Sequence, residues 1–214
     1  MNIETKLNMY FTLMNDRPDL FENVGLLDVI TDRKIIEQYV CDTGNDIGVE
    51  YASEYHLLVV DLVIDENNNY FRYERLIPTK VSRGVVCVPI YKEKFILLNQ
   101  FRHATRKYQL SFPRGFGEKN LNSCDNAEKE LLEEIGATVK STKIIGTITP
   151  NSGILSDSVD IVFCEVEDYN FTIKNEGICN IVEITLDELK EKISSGKVDD
   201  SFTLSAMQLL GCIK

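Results

Sequence analysis

The sequence predicts an α/β protein in which a strand-rich region lies between helical segments. Apolar residues near the start recur at spacings close to 3.6, which is the period of an amphipathic helix. The region that follows contains runs rich in β-branched, leucine and aromatic residues, which are typical of strands. From residue 123 onward the apolar spacing becomes helical again. These three observations indicate sheets combined with helices.

The part of the chain before residue 103 is predicted to contain one helix followed by strands. The helix covers residues 2–15 and ends before Pro18, because a residue that precedes proline is disfavoured in the helical conformation. Polar breaks at "DENNN" and "YKEK" predict turns. The predicted strands are "GLLDVIT", "RKIIEQYVC", "HLLVVDLVI", "YFRYERLI", "GVVCVPIY" and "KFILLNQFR".

A helix is predicted from residue 123, with Ser123 as its N-cap and Gly136 as its stop. Strands at "TKIIGTITP", "SVDIVFCEV" and "NIVEIT" come next, and then helices from about Leu186 to Ser195 and from about Ser201 to Ile213. The predicted domains are an N-terminal extension, residues 1–79, and a core domain, residues 80–214. The apolar stripe of the helix that begins at residue 123 consists of Cys124, Ala127, Leu131 and Ile135.

Net charge limits the class of ligand. The 214 residues carry a formal charge of -11 and give a pI near 4.7, so the surface repels polyphosphate backbones. We therefore expect no long nucleic acid as a partner. A small phosphorylated ligand remains compatible with this charge if a local cation or a metal ion offsets it.

The cysteines indicate a reducing compartment. All six are scattered and none forms a CxxC pair, which argues against a zinc site and against a disulfide framework. The first residues carry acidic side chains and lack the apolar core of a signal peptide. No segment approaches the roughly 18 apolar residues of a membrane span. We expect a cytoplasmic protein without a membrane partner.

Three glutamates lie close together near the end of the helix that begins at residue 123. Glu130, Glu133 and Glu134 share one sector of the helix, where like charges repel by roughly 0.2–0.5 kcal/mol per exposed pair. One interpretation is a solvated acidic face with Lys129 nearby. The other is a site for Mg²⁺, which takes carboxylate and carbonyl oxygens as ligands. The preceding loop "FPRGFGEKN" favours the metal, because its glycines permit a tight turn with exposed backbone groups.

Residues 115–137, "GFGEKNLNSCDNAEKELLEEIGA", resemble the Nudix box, G-x5-E-x7-R-E-U-x-E-E-x-G-U, in which U is aliphatic. The flanking "LLNQFRHATRKYQLSFPRG" is similar to ADP-ribose pyrophosphatase-like members, and the resemblance covers residues 75–213. It implies an α/β/α sandwich with a mixed sheet, preceded by an N-terminal helix and strand extension that contributes to a homodimer. The positions that match the box are Gly115, Glu130, Leu131, Glu133, Glu134 and Gly136.

The resemblance also implies an activity and a set of site residues. The activity is hydrolysis, with Mg²⁺ or Mn²⁺, of a nucleoside diphosphate linked to another group, with ADP-ribose or a nucleotide sugar as the leading substrate class. The implied metal ligands are Gly115, Glu118, Glu130, Glu133 and Glu134. The implied catalytic residues are Glu133, Glu134 and Asp157, and the implied substrate-binding residues are Arg75, Arg102 and Arg114.

The sequence departs from the family pattern at four positions, one of which is Ser111, where a glutamate often precedes the P-x-G turn. Leu121 and Lys129 replace the first glutamate and the arginine of the box, and Ser158 stands where a catalytic glutamate is expected. Lys129 has two alternative partners, Glu133 one helical turn on or Glu118 in the loop. Asp157 or Asp160 could supply the missing base. These departures favour a second hypothesis, a nucleotide-binding or regulatory module with little or no hydrolysis.

Overall fold

The computed structural model describes residues 1–172 and 177–211. The chain divides into two compact units. The first contains Met1–Thr79 together with Asn151–Asp157, and the second contains Lys80–Pro150 and Ser158–Lys214. The division into domains 1–79 and 80–214 stays a prediction, because compactness alone does not show where a functional domain begins. Within the described residues, no helix is long and apolar enough to cross a bilayer.

The first unit contains a four-stranded sheet in which one strand pairs antiparallel with the other three. Strand β3 pairs with β1, β2 and β4. The predicted N-terminal helix is confirmed, with Asn2 as its N-cap. Strand β2 (Gly48–Ala52) was not predicted. The elements are α1 (Ile3–Asp16), a 3-10 helix (Pro18–Phe21), β1 (Leu27–Val29), α2 (Arg33–Thr43), β2 (Gly48–Ala52), β3 (His56–Asp65) and β4 (Tyr70–Pro78).

The strand predicted at "RKIIEQYVC" is wrong, because this segment forms helix α2. The Asp32 carboxylate accepts hydrogen bonds from the main-chain N–H groups of Lys34 and Ile35, at 2.8 and 3.3 Å. Gly44 ends the helix in the left-handed conformation, with φ at 69°. An aspartate N-cap and a glycine C-cap together favour a helix over the β propensity of the isoleucines, tyrosine and valine between them.

The second unit contains a mixed sheet. Its strand order is β11-β6-β5-β10-β9, with β7 paired to β6 and β8 to β5. Strand β10 runs parallel to β5, and the other pairings are antiparallel. The elements are β5 (Gly84–Tyr91), β6 (Lys94–Arg102), β7 (Lys107–Ser111), β8 (Arg114–Gly115), α3 (Ser123–Ile135), β9 (Ala137–Ile148), β10 (Val159–Tyr169), β11 (Ile178–Ile184), α4 (Leu186–Ser194) and α5 (Ser201–Leu209).

Helices cover both faces of this sheet. Successive side chains of a strand point to opposite faces, so Val85 and Cys87 of β5 pack with the apolar stripe of α3. Val86 and Val88 face the other way and pack with residues of α4 and α5. This arrangement confirms the predicted α/β/α sandwich. The fully buried α3 residues of the first cluster are Ala127, Leu131 and Ile135, and those of α4 and α5 in the second are Leu189, Ala206 and Met207.

Helix α3 begins one residue earlier than its predicted cap implies. Asn122 is the N-cap, and its side chain accepts a hydrogen bond from the main-chain N–H of Asp125, whereas the predicted cap, Ser123, is the first helical residue. Gly136 ends the helix in the left-handed conformation, as predicted. The predicted end of the last helix, Ile213, lies outside the described residues.

Candidate active site

Two carboxylates of α3 lie against the backbone of strand β8. The main-chain N–H of Arg114 donates a hydrogen bond to Oε2 of Glu134, at 3.3 Å, and Glu134 is only 8% exposed. A Cβ built on Gly115 would lie 1.9 Å from Oε1 of Glu130. Only glycine leaves room for the Glu130 carboxylate here. Three of the predicted site residues, Gly115, Glu130 and Glu134, are therefore brought together.

The loop between β8 and α3 is held in place by backbone contacts. Gly115 and Arg114 pair with Val85 and Val86 of β5. The side-chain amide of Asn126, which is 1% exposed, donates to the carbonyl oxygen of Phe116 at 3.0 Å. These contacts fix the loop both to the sheet and to the first turns of α3, so the position of Gly115 relative to the helix is determined.

Lys129 lies between the two remaining acidic residues of the predicted metal set. Its Nζ donates to Oε1 of Glu118 at 2.8 Å and to Oε2 of Glu133 at 3.0 Å. The two partners proposed as alternatives from the sequence therefore bind Lys129 together. The hydrogen bond from Lys129 to Glu118, followed by that to Glu133, raises the pKa of Lys129. Lys129 thus supplies a fixed positive charge beside the acidic helix face.

Arg114 is paired with Asp200, which is not among the predicted site residues. Its Nη1 donates to Oδ1 of Asp200 at 3.0 Å, and its guanidinium stacks over the ring of Phe202 at 4.6 Å. Asp200 is 6% exposed and is the N-cap of α5. The available signal was an aspartate directly ahead of a predicted helix, which indicates a cap but not its arginine partner.

Arg102 lies at the end of β6 in a different electrostatic environment. Its Nη2 donates to Oγ of Ser111 at 3.1 Å. Burial lowers the pKa of Arg102, and the positive charge of Arg114 lowers it further, while Asp200 and Glu134 act in the opposite direction. Its Nε is buried and has no hydrogen-bond partner among the described residues. Because a buried donor without an acceptor is costly, this guanidinium is suited to receive an anion.

Arg75 and Asp157 lie in the first unit. The guanidinium of Arg75 donates through Nε and Nη2 to Asp61, at 2.5 and 2.9 Å, and through Nη1 to the carbonyl oxygen of Leu20, at 2.8 Å. The hydroxyl of Tyr10 also donates to Asp61, at 2.6 Å. The observed contacts of Arg75 are therefore structural. Its predicted substrate contact and the catalytic role of Asp157 stay predictions.

Asp160, the other candidate base, lies at the start of β10 and is 5% exposed. Its carboxylate accepts hydrogen bonds from Oγ of Ser123 at 2.7 Å and from Oγ1 of Thr147 at 2.6 Å. The exposed guanidinium of Arg83 lies 3.5 Å away. These contacts join the first residue of α3 to two strands, which indicates that Asp160 stabilises the fold.

The donor atoms beside Gly115 are of the type that a divalent cation requires. Across the described residues, no group of three or more His, Cys, Asp or Glu side chains is arranged to hold a metal ion. The contacts account for part of this, because Glu118 and Glu133 bind Lys129. Glu130 and Glu134 supply carboxylate oxygens beside the Gly115 backbone, which supplies a carbonyl oxygen, and these are the donor types that Mg²⁺ takes. The chemistry of these donors fits a hard divalent cation.

Comparison with known proteins identifies the family. The NUDIX domain matches residues 80–202, and the chain belongs to the Nudix family. The chain is 27% identical over 121 residues to "ADP compounds hydrolase NudE" of Escherichia coli strain K12, a match that covers 56% of this chain and 64% of that protein. It is also 27% identical over 120 residues to "ADP-ribose pyrophosphatase" of Bacillus subtilis strain 168, with 55% and 65% covered.

The predicted resemblance is thereby confirmed, although the chain spans less than two thirds of the length of these relatives. A solved structure, "Crystal structure of ADP compounds hydrolase", superposes with a TM-score of 0.67 at 18% identity. The superposition covers 78% of this chain and 90% of that one. At this identity the likeness concerns the fold, and it agrees with the α/β/α sandwich described above.

Proposed function

We propose that this protein hydrolyses the pyrophosphate bond of a nucleoside diphosphate linked to another group, with ADP-ribose or a nucleotide sugar as the substrate class. The observation that carries the proposal is the pair of carboxylates, Glu130 and Glu134, held against the Arg114–Gly115 backbone. Membership of the Nudix family and similarity to proteins named as ADP-ribose pyrophosphatase and ADP compounds hydrolase support it.

The cofactor we propose is Mg²⁺ or Mn²⁺. Glu130, Glu134 and the Gly115 carbonyl would hold it, and Glu118 and Glu133 are proposed as further ligands that exchange Lys129 for the cation. When bound, the cation supplies Lewis acidity, neutralises diphosphate charge and lowers the pKa of water.

The chain's own residues bind and orient the substrate. The buried Nε of Arg102, which has no hydrogen-bond partner among residues 1–172 and 177–211, is proposed to donate to a phosphate oxygen, because guanidinium groups match phosphate geometry. Arg114 is a weaker candidate for this contact, since Asp200 already accepts its hydrogen bond. Glu133, Glu134 and Asp157 remain the proposed catalytic carboxylates, with proton abstraction from water as their common task.

The test is a substrate panel with Mg²⁺ and with Mn²⁺, in which released nucleoside monophosphate is measured for the native protein and for Glu134→Gln. Turnover by the native protein that is lost in Glu134→Gln is the expected result. Ligand-induced thermal stabilisation without turnover would instead support a binding module. Absence of both turnover and stabilisation with every nucleotide would overturn the proposal.

The compartment and the assembly state are also proposals. Scattered cysteines support a cytoplasmic location. A homodimer formed through the N-terminal unit is supported by Val24, Leu26 and Leu27, which are 88%, 74% and 49% exposed, because clustered exposed apolar side chains mark interaction surfaces. Light scattering coupled to size exclusion measures the mass directly. A monomer at all concentrations would refute the dimer.

A further inference from the structure

Asp200 makes two different kinds of contact with its two carboxylate oxygens. Oδ2 accepts hydrogen bonds from the main-chain N–H and from Oγ1 of Thr203, at 3.0 and 2.9 Å, and so caps α5. Oδ1 accepts from the guanidinium of Arg114 at 3.0 Å. A carboxylate at a helix N-terminus is stabilised by the helix dipole, so its negative charge is well suited to this buried position.

The first turn of α5 holds the segment before Gly115 at further points. Oγ1 of Thr203 accepts a hydrogen bond from the main-chain N–H of Phe112, at 3.0 Å, and both residues are fully buried. The ring of Phe202 lies under the Arg114 guanidinium. Residues 112–114 are thus attached to α5 by a main-chain hydrogen bond, an ion pair and a cation-π contact.

The same segment reaches the carboxylates of α3 through its backbone. The N–H of Arg114 donates to Glu134, and Gly115 lies against Glu130. Arg114 therefore connects α5 to the proposed metal ligands by its main chain, while its side chain is bound by Asp200. Groups that orient metal ligands in this way typically affect metal affinity or activity by 10–100-fold, as an order of magnitude.

The charges of the two neighbouring arginines are balanced differently. The charge of Arg114 is compensated by Asp200 at contact distance, and the guanidinium of Arg102 contacts the neutral hydroxyl of Ser111. Arg114 lowers the pKa of Arg102 and Asp200 raises it, so all three lie within electrostatic reach. Without the Asp200 charge, two adjacent guanidiniums would repel, and Arg114 would move away from its stacked position.

We propose that Asp200 is a positioning residue for the Nudix site. It holds Arg114 in place through the ion pair, and thereby sets the Arg114–Gly115 backbone that Glu130 and Glu134 contact. The substrate's phosphates are then bound by Arg102, which forms no salt bridge with a carboxylate among the described residues. The inference rests on the proposed function where kcat and KM are measured. Mn²⁺ affinity is a second measurement, and it needs no substrate.

The decisive variant is Asp200→Asn, since asparagine caps a helix about as well as aspartate. The amide oxygen keeps the cap, while the negative charge and the second acceptor oxygen, which binds Arg114, are lost. Asp199→Asn is the matched control, because the adjacent carboxylate accepts from Lys107 and Gln109 and lies 48% exposed. The double variant Arg114→Gln/Asp200→Asn removes both charges together. It leaves no uncompensated buried charge, which makes it the variant of choice if Asp200→Asn does not fold.

Mn²⁺ affinity is measured by electron paramagnetic resonance without substrate, alongside kcat, KM and the melting temperature. Asp200→Asn is expected to weaken Mn²⁺ binding and to lower kcat by about tenfold each, and Asp199→Asn is expected to change neither. The double variant is expected to recover several-fold relative to Asp200→Asn, because the unpaired guanidinium is gone.

Two results would overturn the inference. One is Mn²⁺ affinity, kcat and KM that all stay within twofold of the native values in Asp200→Asn, whatever its melting temperature, which would limit Asp200 to a structural role. The other is a double variant no better than the single one. If the native protein hydrolyses nothing in the panel, the proposed function fails by itself, and Mn²⁺ affinity still decides the role of Asp200.

Discussion

Gly115 and Glu130 are in such close contact that one added carbon would separate them. A Cβ on Gly115 would meet Oε1, Cδ and Oε2 of Glu130 at 1.9, 2.0 and 2.5 Å. The atoms it meets belong to the end of a flexible side chain, which can rotate away. The contact therefore sets the position of a carboxylate more than it sets the stability of the fold.

Gly115→Ala is expected to displace the Glu130 carboxylate while leaving the fold intact. We expect Mn²⁺ affinity and kcat to fall by about tenfold or more, and the melting temperature to remain close to the native value. Gly25→Ala is the control, since a Cβ there has nothing within 4 Å. Equal metal affinity in the two variants would contradict the proposed role of this contact.

Gly117→Ala is expected to lower the stability of the fold, unlike Gly115→Ala, which is expected to lower metal affinity and kcat. A Cβ at this position would lie 2.0 Å from the carbonyl oxygen of Ser82, and backbone cannot rotate aside as a side chain can. Overpacking of this kind costs typically about 1–3 kcal/mol of unfolding free energy. Urea unfolding of Gly117→Ala beside Gly115→Ala measures the difference. A smaller loss for Gly117→Ala than for Gly115→Ala would refute the assignment.

Lys129→Met tests whether the lysine offsets carboxylate repulsion until a divalent cation binds. Without Lys129, the charges of Glu118 and Glu133 lose their partner, and each exposed pair contributes at most about 1 kcal/mol. We expect a slightly lower melting temperature in chelator and a larger stabilisation by Mg²⁺ than in the native protein. Lys119→Met, a loss of the same charge at an exposed position of the same loop, should show neither change.

Asp160→Ala is expected to lower stability, and Asp157→Ala is expected to lower kcat. Removing Asp160 takes the acceptor from the hydroxyls of the half-buried Ser123 and the exposed Thr147. Each lost hydrogen bond costs about 0.5–1.5 kcal/mol, so urea unfolding should show a loss. Asp157→Ala should instead lower kcat by about 100-fold or more if this carboxylate is the general base. Unchanged kcat in Asp157→Ala would remove it from the mechanism and leave Glu133 and Glu134 as the candidates.

Arg102→Lys should weaken substrate binding, because a lysine cannot reproduce the planar fork of a guanidinium. We expect KM for ADP-ribose to rise by about tenfold with a smaller change in kcat, the signature of a lost ground-state contact. Arg106→Lys, in the exposed turn after β6, is the control. A rise in KM that is equal in both variants would indicate general electrostatic attraction and not a specific contact.

The strands of the sandwich core could be predicted from sequence because their apolar runs are continuous. The limits of β5 and β6 agree with "GVVCVPIY" and "KFILLNQFR", and α3 follows from its stripe and its terminal glycine. Helix α2 could not be recognised from β propensity alone. Its caps at Asp32 and Gly44 decide the conformation. Their preference for a helix outweighs the β propensity of the residues between them.

The candidate site was predictable where it is local in sequence and not where it is distant. Glu130 and Glu134 lie one turn apart on one helix, so their shared direction follows from the helical repeat. The Arg114–Asp200 pair joins residues 86 positions apart, and no spacing rule connects them. The two partners of Lys129 differ in this respect. Glu133 lies one helical turn further on and follows from helix geometry, whereas Glu118 reaches Lys129 only through the conformation of the loop.

Segment Asn151–Asp157 belongs to the first unit although its neighbours in the chain belong to the second. The N–H of Leu76 donates to the carbonyl oxygen of Ile154 at 2.7 Å, and the N–H of Ser156 donates to the carbonyl oxygen of Leu76 at 3.0 Å. The polypeptide consequently passes between the units three times. A truncated protein that starts at Lys80 would strip this segment of its β4 partner and expose main-chain groups, so shortened expression variants should keep residues 1–79.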